Sequence, residues 1–188
     1  MFTGIVQTTA IVNHIERHDD FLRIKIQTTS QWLKGLETGA SIAINGVCLT
    51  ASKFDDEFVE FDVIDETLKK TNLGQVRVGE PVNFERSLTF GKEIGGHIVS
   101  GHIQTTAKII MSQASGKNWL IELELAPQWM KYILHKGFVG VNGCSLTVGD
   151  VTESGFKLHL IPETLTITNL QSYKVGDLLN IEVDQQTY

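Results

Sequence analysis

The residues best suited to chemistry are a thiol and a hydroxyl at matching places. Cys48 stands in Asn45-Gly46-Val47-Cys48-Leu49-Thr50 and Ser145 in Asn142-Gly143-Cys144-Ser145-Leu146-Thr147, two versions of one hexapeptide. A thiolate attacks electrophilic carbon directly, whereas a serine hydroxyl needs a neighbouring base. The other cysteine, Cys144, aligns with Val47 and is out of register with Cys48. Neighbours on a strand face opposite ways, so Cys144 is expected to point away from whatever Ser145 faces. The bland reading of a lone cysteine on a β-hairpin is a small buried hydrophobe, and no cation adjoins Cys48 in sequence to favour its thiolate. There is no C-x-x-C motif, and two cysteines do not make a disulfide framework. The spacing of His97 and His102 is odd, which on a strand sends them to opposite faces and argues against a metal pair. His14, His18, His135 and His159 lack ligand spacing and read as surface or structural residues. No metal site is expected.

The two hexapeptides stand 97 positions apart, and that offset aligns the rest of the chain. Gly4, Gln7 and Thr8-Thr9-Ala10 fall on Gly101, Gln104 and Thr105-Thr106-Ala107. Glu66-Thr67-Leu68 falls on Glu163-Thr164-Leu165, Thr71-Asn72-Leu73 on Thr168-Asn169-Leu170, and Asn83 and Glu85 on Asn180 and Glu182. No insertion breaks the register, so the chain is two copies of one domain, too few for a solenoid. The first copy with its connector takes residues 1–97 and the second takes 98–188. Residues 86–97 have no counterpart before Met1, and Gly91, Gly95 and Gly96 are expected to loosen them.

Of the 188 residues, 41% are apolar and 20% charged, ordinary for a soluble globular protein. A net charge of −6, with Lys69-Lys70 as the longest basic run, argues against nucleic acid or an anionic membrane as the main partner. The start Met-Phe-Thr-Gly-Ile-Val has no basic leader, no apolar run is of membrane-spanning length, and the thiols read as reduced, so a cytoplasmic location is expected.

The composition is that of an all-β protein. Residues 2–12 and 99–110, rich in Thr, Val and Ile, read as the opening strands. Phe21 to Ile26 and Leu120 to Leu125 alternate apolar and charged residues, as half-buried strands do. Short helices are predicted over Ser30–Leu36 and Pro127–Leu134, with Trp32 and Trp129 plugging the cores. Asn45-Gly46 and Asn142-Gly143 lie between apolar runs and predict hairpins. Further strands follow at 58–64 and 156–161, a short helix or turn at 66–73 and 163–170, and a last strand at 81–85 and 178–183. Several short, evenly punctuated strands per copy indicate a small antiparallel barrel.

The opening Met-Phe-Thr-Gly-Ile-Val, the Asn-Gly hairpins, Glu66-Thr67-Leu68, Gly95-Gly96-His97-Ile98-Val99-Ser100-Gly101-His102, Lys131-Tyr132-Ile133-Leu134 with Lys136-Gly137-Phe138, and Ile161-Pro162-Glu163-Thr164 together resemble the two-barrel riboflavin synthase family over essentially the whole chain. The resemblance implies two tandem, homologous six-stranded Greek-key barrels. Each would bind one 6,7-dimethyl-8-ribityllumazine, and a four-carbon unit would pass from one molecule to the other to give riboflavin. It implies no cofactor, and leaves open whether the product riboflavin stays bound. It also implies a homotrimer whose reaction occurs between neighbouring subunits.

Carried over by position, the first pocket would use Gly4, Ile5 and Val6, then Cys48, Leu49 and Thr50, then Asp62, Val63, Ile64, Asp65, Glu66 and Thr67, with Ser41 nearby. The second would use Gly101, His102 and Ile103, then Ser145, Leu146 and Thr147, then Leu160, Ile161, Pro162, Glu163, Thr164 and Leu165. Lys136 would reach across from a neighbouring subunit. The resemblance makes Cys48 the candidate nucleophile, with His102 or Ser145 moving protons. Glu66 and Glu163 read equally well as caps of the helices they open, and Asp184 matches a family acidic position. Family synthases continue past the second barrel into a helix that holds the trimer, whereas this sequence stops at Tyr188, as the non-catalytic fluorescent lumazine proteins do. A lumazine or flavin carrier is therefore the alternative function, and a tandem-barrel nucleic-acid binder is disfavoured by the acidic balance.

Overall fold

A computed structural model describes all residues from Met1 to Tyr188. In the first copy six strands, β1 (Thr8–Arg17), β2 (Phe21–Gln27), β3 (Ser41–Ile44), β4 (Val47–Phe54), β5 (Phe58–Ile64) and β6 (Pro81–Arg86), close into a barrel in the order β1-β2-β5-β4-β3-β6. In the second copy β7 (Thr105–Ser115), β8 (Asn118–Glu124), β9 (Phe138–Val141), β10 (Cys144–Val151), β11 (Gly155–Leu160) and β12 (Leu178–Val183) close in the equivalent order. Every pairing is antiparallel. The hairpin-linked strands β3, β4 and β5 are flanked by β6 and β2, which is Greek-key connectivity. Short helices fill the longer connections: α1 (Ser30–Leu33), α2 (Asp65–Lys70), α3 (Pro127–Met130) and α4 (Pro162–Ile167).

Alternation builds the two cores. Along β2 the buried residues are Leu22, Ile24 and Ile26, and along β10 they are Cys144, Leu146 and Val148. Trp32 and Trp129 pack against the first and second core respectively, as plugs. Register shifts between Val12 and His14 in β1 and between Ile109 and Met111 in β7 fall at equivalent places, coiling each long strand around its barrel.

The opening strands begin later than composition predicts. Gly4 (φ 72°) and Gly101 (φ 82°) adopt left-handed conformations that break the runs at 2–12 and 99–110. Residues ahead of β1 and β7 leave their barrels and meet each other in a bridge, with Phe2 N donating to Val99 O at 2.8 Å and Val99 N to Phe2 O at 3.1 Å.

The two Asn-Gly hairpins are the contact between barrels. Asn45 and Gly46 (φ 46° and 79°) and Asn142 and Gly143 (φ 45° and 81°) have positive φ at both central positions, as a type I′ turn demands. The turns lie back to back, so a Cβ on Gly46 would sit 2.5 Å from Gly143 N. Six buried asparagines, 45, 72, 83, 142, 169 and 180, knit the seam. Asn45 Oδ1 accepts from Asn83 N (2.8 Å) and, across the barrels, from Asn169 Nδ2 (2.9 Å). Asn142 Oδ1 accepts in mirror fashion from Asn180 N (2.8 Å) and Asn72 Nδ2 (3.2 Å). Asn83 Nδ2 and Asn180 Nδ2 each donate at 2.9 Å to the hairpin carbonyl of the opposite copy. Identities shared between the copies at these positions serve the seam.

Candidate functional site

The first site centres on Cys48, half-exposed on the outer side of β4 because its neighbours Val47 and Leu49 turn inward. A cleft of about 270 Å³ beside it is lined by Glu66, Thr67, Lys70 and Thr71 from the first copy and by Gly101, His102 and Ile103 from the second. Cys48 N donates to Gly101 O at 2.9 Å. A Cβ on Gly101 would lie 2.6 Å from Cys48 Cβ, so only glycine permits this approach. Glu66 lies with Asp65 in the first turn of α2, where a negative charge suits the helix start. It takes a 2.7 Å hydrogen bond from Lys70 Nζ one turn on, which draws its carboxyl below the ordinary range.

The second site is the pseudo-symmetric counterpart, and again the opposite copy closes it. Ser145, on the outer side of β10, donates its N–H to Gly4 O at 2.7 Å. Val6 lies in the second barrel's core, while Ile103 packs on the first's. Grouping by repeat, which put Gly4, Ile5 and Val6 with Cys48 and Gly101, His102 and Ile103 with Ser145, is therefore corrected: the segments are exchanged. The cause is the crossing at Phe2 and Val99, which carries each opening segment onto the other barrel.

His97 is the residue that sequence reasoning missed. Its Nδ1 lies 2.6 Å from Ser145 Oγ, its ring stacks on Phe138 with centroids 5.3 Å apart, and its Nε2 is buried without a partner. Burial pulls its pKa below the ordinary value, opposed by Asp184. At neutral pH the imidazole is thus uncharged and able to accept or return a proton. Residues 97–103 form no strand, so the opposite-face argument about His97 and His102 does not apply. Of the connector's glycines Gly96 is fixed by packing and not slack: a Cβ on it would come within 2.7 Å of Ser145 Cβ.

Other candidate side chains divide by direction. Leu49, Val63, Leu146 and Leu160 point into the cores, so only their backbone faces the sites. Ile64 and Ile161 are exposed by more than half and stand free on the outer face. Asp62 is held by Arg23 in a bidentate pair at 2.7 and 3.0 Å, which keeps its carboxyl below the ordinary range and commits it to β2. Ser41 pairs with Thr50 across β3 and β4. Cys144 sits in the second core, where burial raises its pKa to about 12, so its thiol is inert.

Lys136 holds φ 65° where the first copy has Gly39 at φ 88°. A left-handed lysine costs about 1–2 kcal/mol, and its ammonium has no ion-pair partner within the chain. No group of three or more His, Cys, Asp or Glu is placed to hold a metal, and no helix is long and apolar enough to cross a membrane.

A model of the lumazine binding domain matches twice, over residues 3–87 and 100–184. The riboflavin synthase of Escherichia coli (strain K12) is 50% identical over 188 residues, covering 100% of this chain and 88% of that protein. The chain belongs to the riboflavin synthase family. The riboflavin synthase of Schizosaccharomyces pombe is 38% identical over 189 residues, covering 98% of this chain and 89% of its own. Among solved structures, LumP complexed with riboflavin superposes with a TM-score of 0.92 at 26% identity, covering 98% of this chain and 100% of LumP. LumP complexed with 6,7-dimethyl-8-(1'-D-ribityl) lumazine gives 0.89 at 25%, with the same coverage. The riboflavin synthase family is thus represented here with both copies of the lumazine binding domain.

Proposed function

We propose that the chain is a riboflavin synthase that holds one 6,7-dimethyl-8-ribityllumazine at each site and moves four carbons from one molecule to the other. The products are riboflavin and 5-amino-6-ribitylaminouracil. One observation carries the reading of the sites: the equivalent positions 48 and 145 bear a thiol and a hydroxyl, and the histidine beside each comes from a different, non-equivalent place, exposed His102 by Cys48 and buried His97 by Ser145. A reaction that treats two identical molecules as donor and acceptor needs such a difference.

The chemistry asks for loss of a proton from the C7 methyl of one lumazine and for attack at C7 of the other. Fixed donors near the ring carbonyls stabilise the resulting anion. Cys48 supplies a thiol for addition at C7, its backbone N–H already committed to Gly101 O. The Ser145–His97 pair supplies a hydroxyl with a neutral acceptor behind it. What one lumazine loses the other gains, so no external oxidant is required, and the reaction is proposed to run without cofactor.

The two rings must lie face to face in a fixed orientation. We infer a homotrimer in which sites of neighbouring subunits meet, with Lys136 directed at the neighbour's ligand. The strain at Lys136 and its lack of a partner within the chain support this. The free cysteines fit a cytoplasmic setting.

The test is incubation of purified protein with the lumazine in the presence of a chelator and without added cofactor, following riboflavin by fluorescence. One riboflavin is expected for every two lumazines consumed, at a rate rising faster than linearly with protein concentration while the trimer assembles. Tight stoichiometric binding without turnover at any concentration overturns the enzyme in favour of a carrier.

A further inference from the structure

Two buried carboxylates are left unused by the chemistry above. Glu85 in β6 and Glu182 in β12 are 4% and 3% exposed, and neither has a cationic partner. Burial raises both above the ordinary carboxyl range, opposed by the donors they accept. Glu182 Oε1 accepts from Ser100 N (2.6 Å) and Ser100 Oγ (2.7 Å), and its Oε2 accepts from Gly101 N (2.9 Å). Ser100 Oγ in turn accepts from His102 N at 3.1 Å. The segment so held belongs to the first site, where Gly101 O receives Cys48 N. Glu85 does the same in reverse: its Oε1 accepts from Thr3 N (2.7 Å) and Thr3 Oγ1 (2.9 Å), and the adjoining Gly4 O receives Ser145 N.

We propose that Glu182 and Glu85 are positioning residues that act crosswise, each setting the site on the opposite barrel. Glu182, rooted in the second barrel, fixes Gly101 and His102 against Cys48. Glu85, rooted in the first, fixes Gly4 and Ile5 against Ser145. Each segment is thereby clasped between a carboxylate of its own barrel and a backbone N–H of the other, so neither site is complete on one barrel.

The two carboxylates differ in a way that can be read out. Both oxygens of Glu182 are occupied by donors, so a glutamine there must set its amide N–H₂ against an N–H or hydroxyl donor. Glu85 Oε2 has no hydrogen-bond partner. A glutamine at 85 can keep its carbonyl on Thr3 with its amide toward the Gly4 and Ile5 N–H groups, so any loosening falls on the segment at Ser145 and not on the one at Cys48.

The thiols report the result in the full-length, ligand-free chain. Iodoacetamide alkylation of Cys48 and Cys144 is followed peptide by peptide in wild type, E182Q, S100A and E85Q. E182Q is expected to speed Cys48 alkylation several-fold, as far as the partial cover of this half-exposed thiol allows, because opposed donors replace charge-assisted bonds and release the segment by local opening. Cys144, inside the barrel that carries Glu182, stays unreactive. S100A shifts Cys48 in the same direction by a smaller factor, and E85Q leaves the Cys48 rate unchanged. An unchanged Cys48 rate in folded E182Q overturns the proposal. So does Cys144 becoming reactive alongside Cys48, which would mean a loosened second barrel, or an E85Q effect on Cys48 as large as that of E182Q. Should E182Q not fold, S100A decides by the same two rates. The proposal rests on the two sites assigned above, but its readout uses no lumazine, so its failure and that of the synthase reading are separate results.

Discussion

Replacing Gly46 by alanine should loosen the seam between the barrels, and the cost can be separated into parts. Gly46 holds φ 79°, and a Cβ there would lie 2.5 Å from Gly143 N and 2.8 Å from Gly143 Cα. Both obstructing atoms are backbone in a tight turn, so no flexible tip can yield. The left-handed conformation costs an alanine about 1 kcal/mol, and forcing the hairpins apart adds about 1–3 kcal/mol. Gly79→Ala is the matched control: φ is 90° there, and nothing lies within 4 Å of the new Cβ. Loss of unfolded-chain freedom on Gly→Ala is common to both and cancels in the comparison. Urea unfolding of the two variants should therefore differ by about 1–3 kcal/mol, the whole difference belonging to the interbarrel contact. Because the asparagine bonds cross the same seam, Gly46→Ala should also separate the unfolding of the two barrels into two transitions. Equal shifts in the midpoints of the two variants would show that the hairpins do not bear on each other in solution.

Three further outcomes are expected. Lys136→Gly should raise stability by about 1 kcal/mol by relieving the left-handed lysine while lowering turnover at least tenfold; a parallel change in both would remove Lys136 from the reaction. Cys48→Ser should retain lumazine binding, measured by fluorescence titration, and lose about a hundredfold or more in turnover as an addition step is slowed; unchanged turnover excludes the thiol as an essential nucleophile. His97 is depressed below its ordinary 6.5 by burial, so the unfolded chain binds the extra proton first as pH falls. Stability should consequently drop as pH is lowered from 6.5 toward the folded-state value, and this slope should be absent in His97→Gln. Denaturation of the two proteins side by side isolates it, because Glu85 and Glu182, raised above 4.5, slope the other way as pH rises between that value and their folded-state values.

The limits of the sequence follow from what a repeat can encode. A constant offset identifies which positions are equivalent, and alternation then separates Cys48 and Ser145 from inward Val47 and Cys144, so the barrels, the hairpins and the difference between thiol and hydroxyl are legible. Equivalence says nothing about which copy a segment packs on. Gly4 matches Gly101 whether each lies on its own barrel or on the other, and the choice is made by the Phe2–Val99 crossing and by two glycines at positive φ. The partnership of His97 with Ser145 was hidden for a related reason: its equivalent would precede Met1, so the repeat offers no counterpart to compare and the residue is weighed only as a metal ligand. Its signal was Gly96, which permits the approach to Ser145 and which composition reads as slack. The matched hexapeptides thus mark two chemical positions but hide their wiring. Cys48 depends on a segment clasped by the second barrel and Ser145 on one clasped by the first. Duplication of the barrel alone accounts for two equivalent surfaces; the exchange of opening segments is what ties the two barrels into one structural unit.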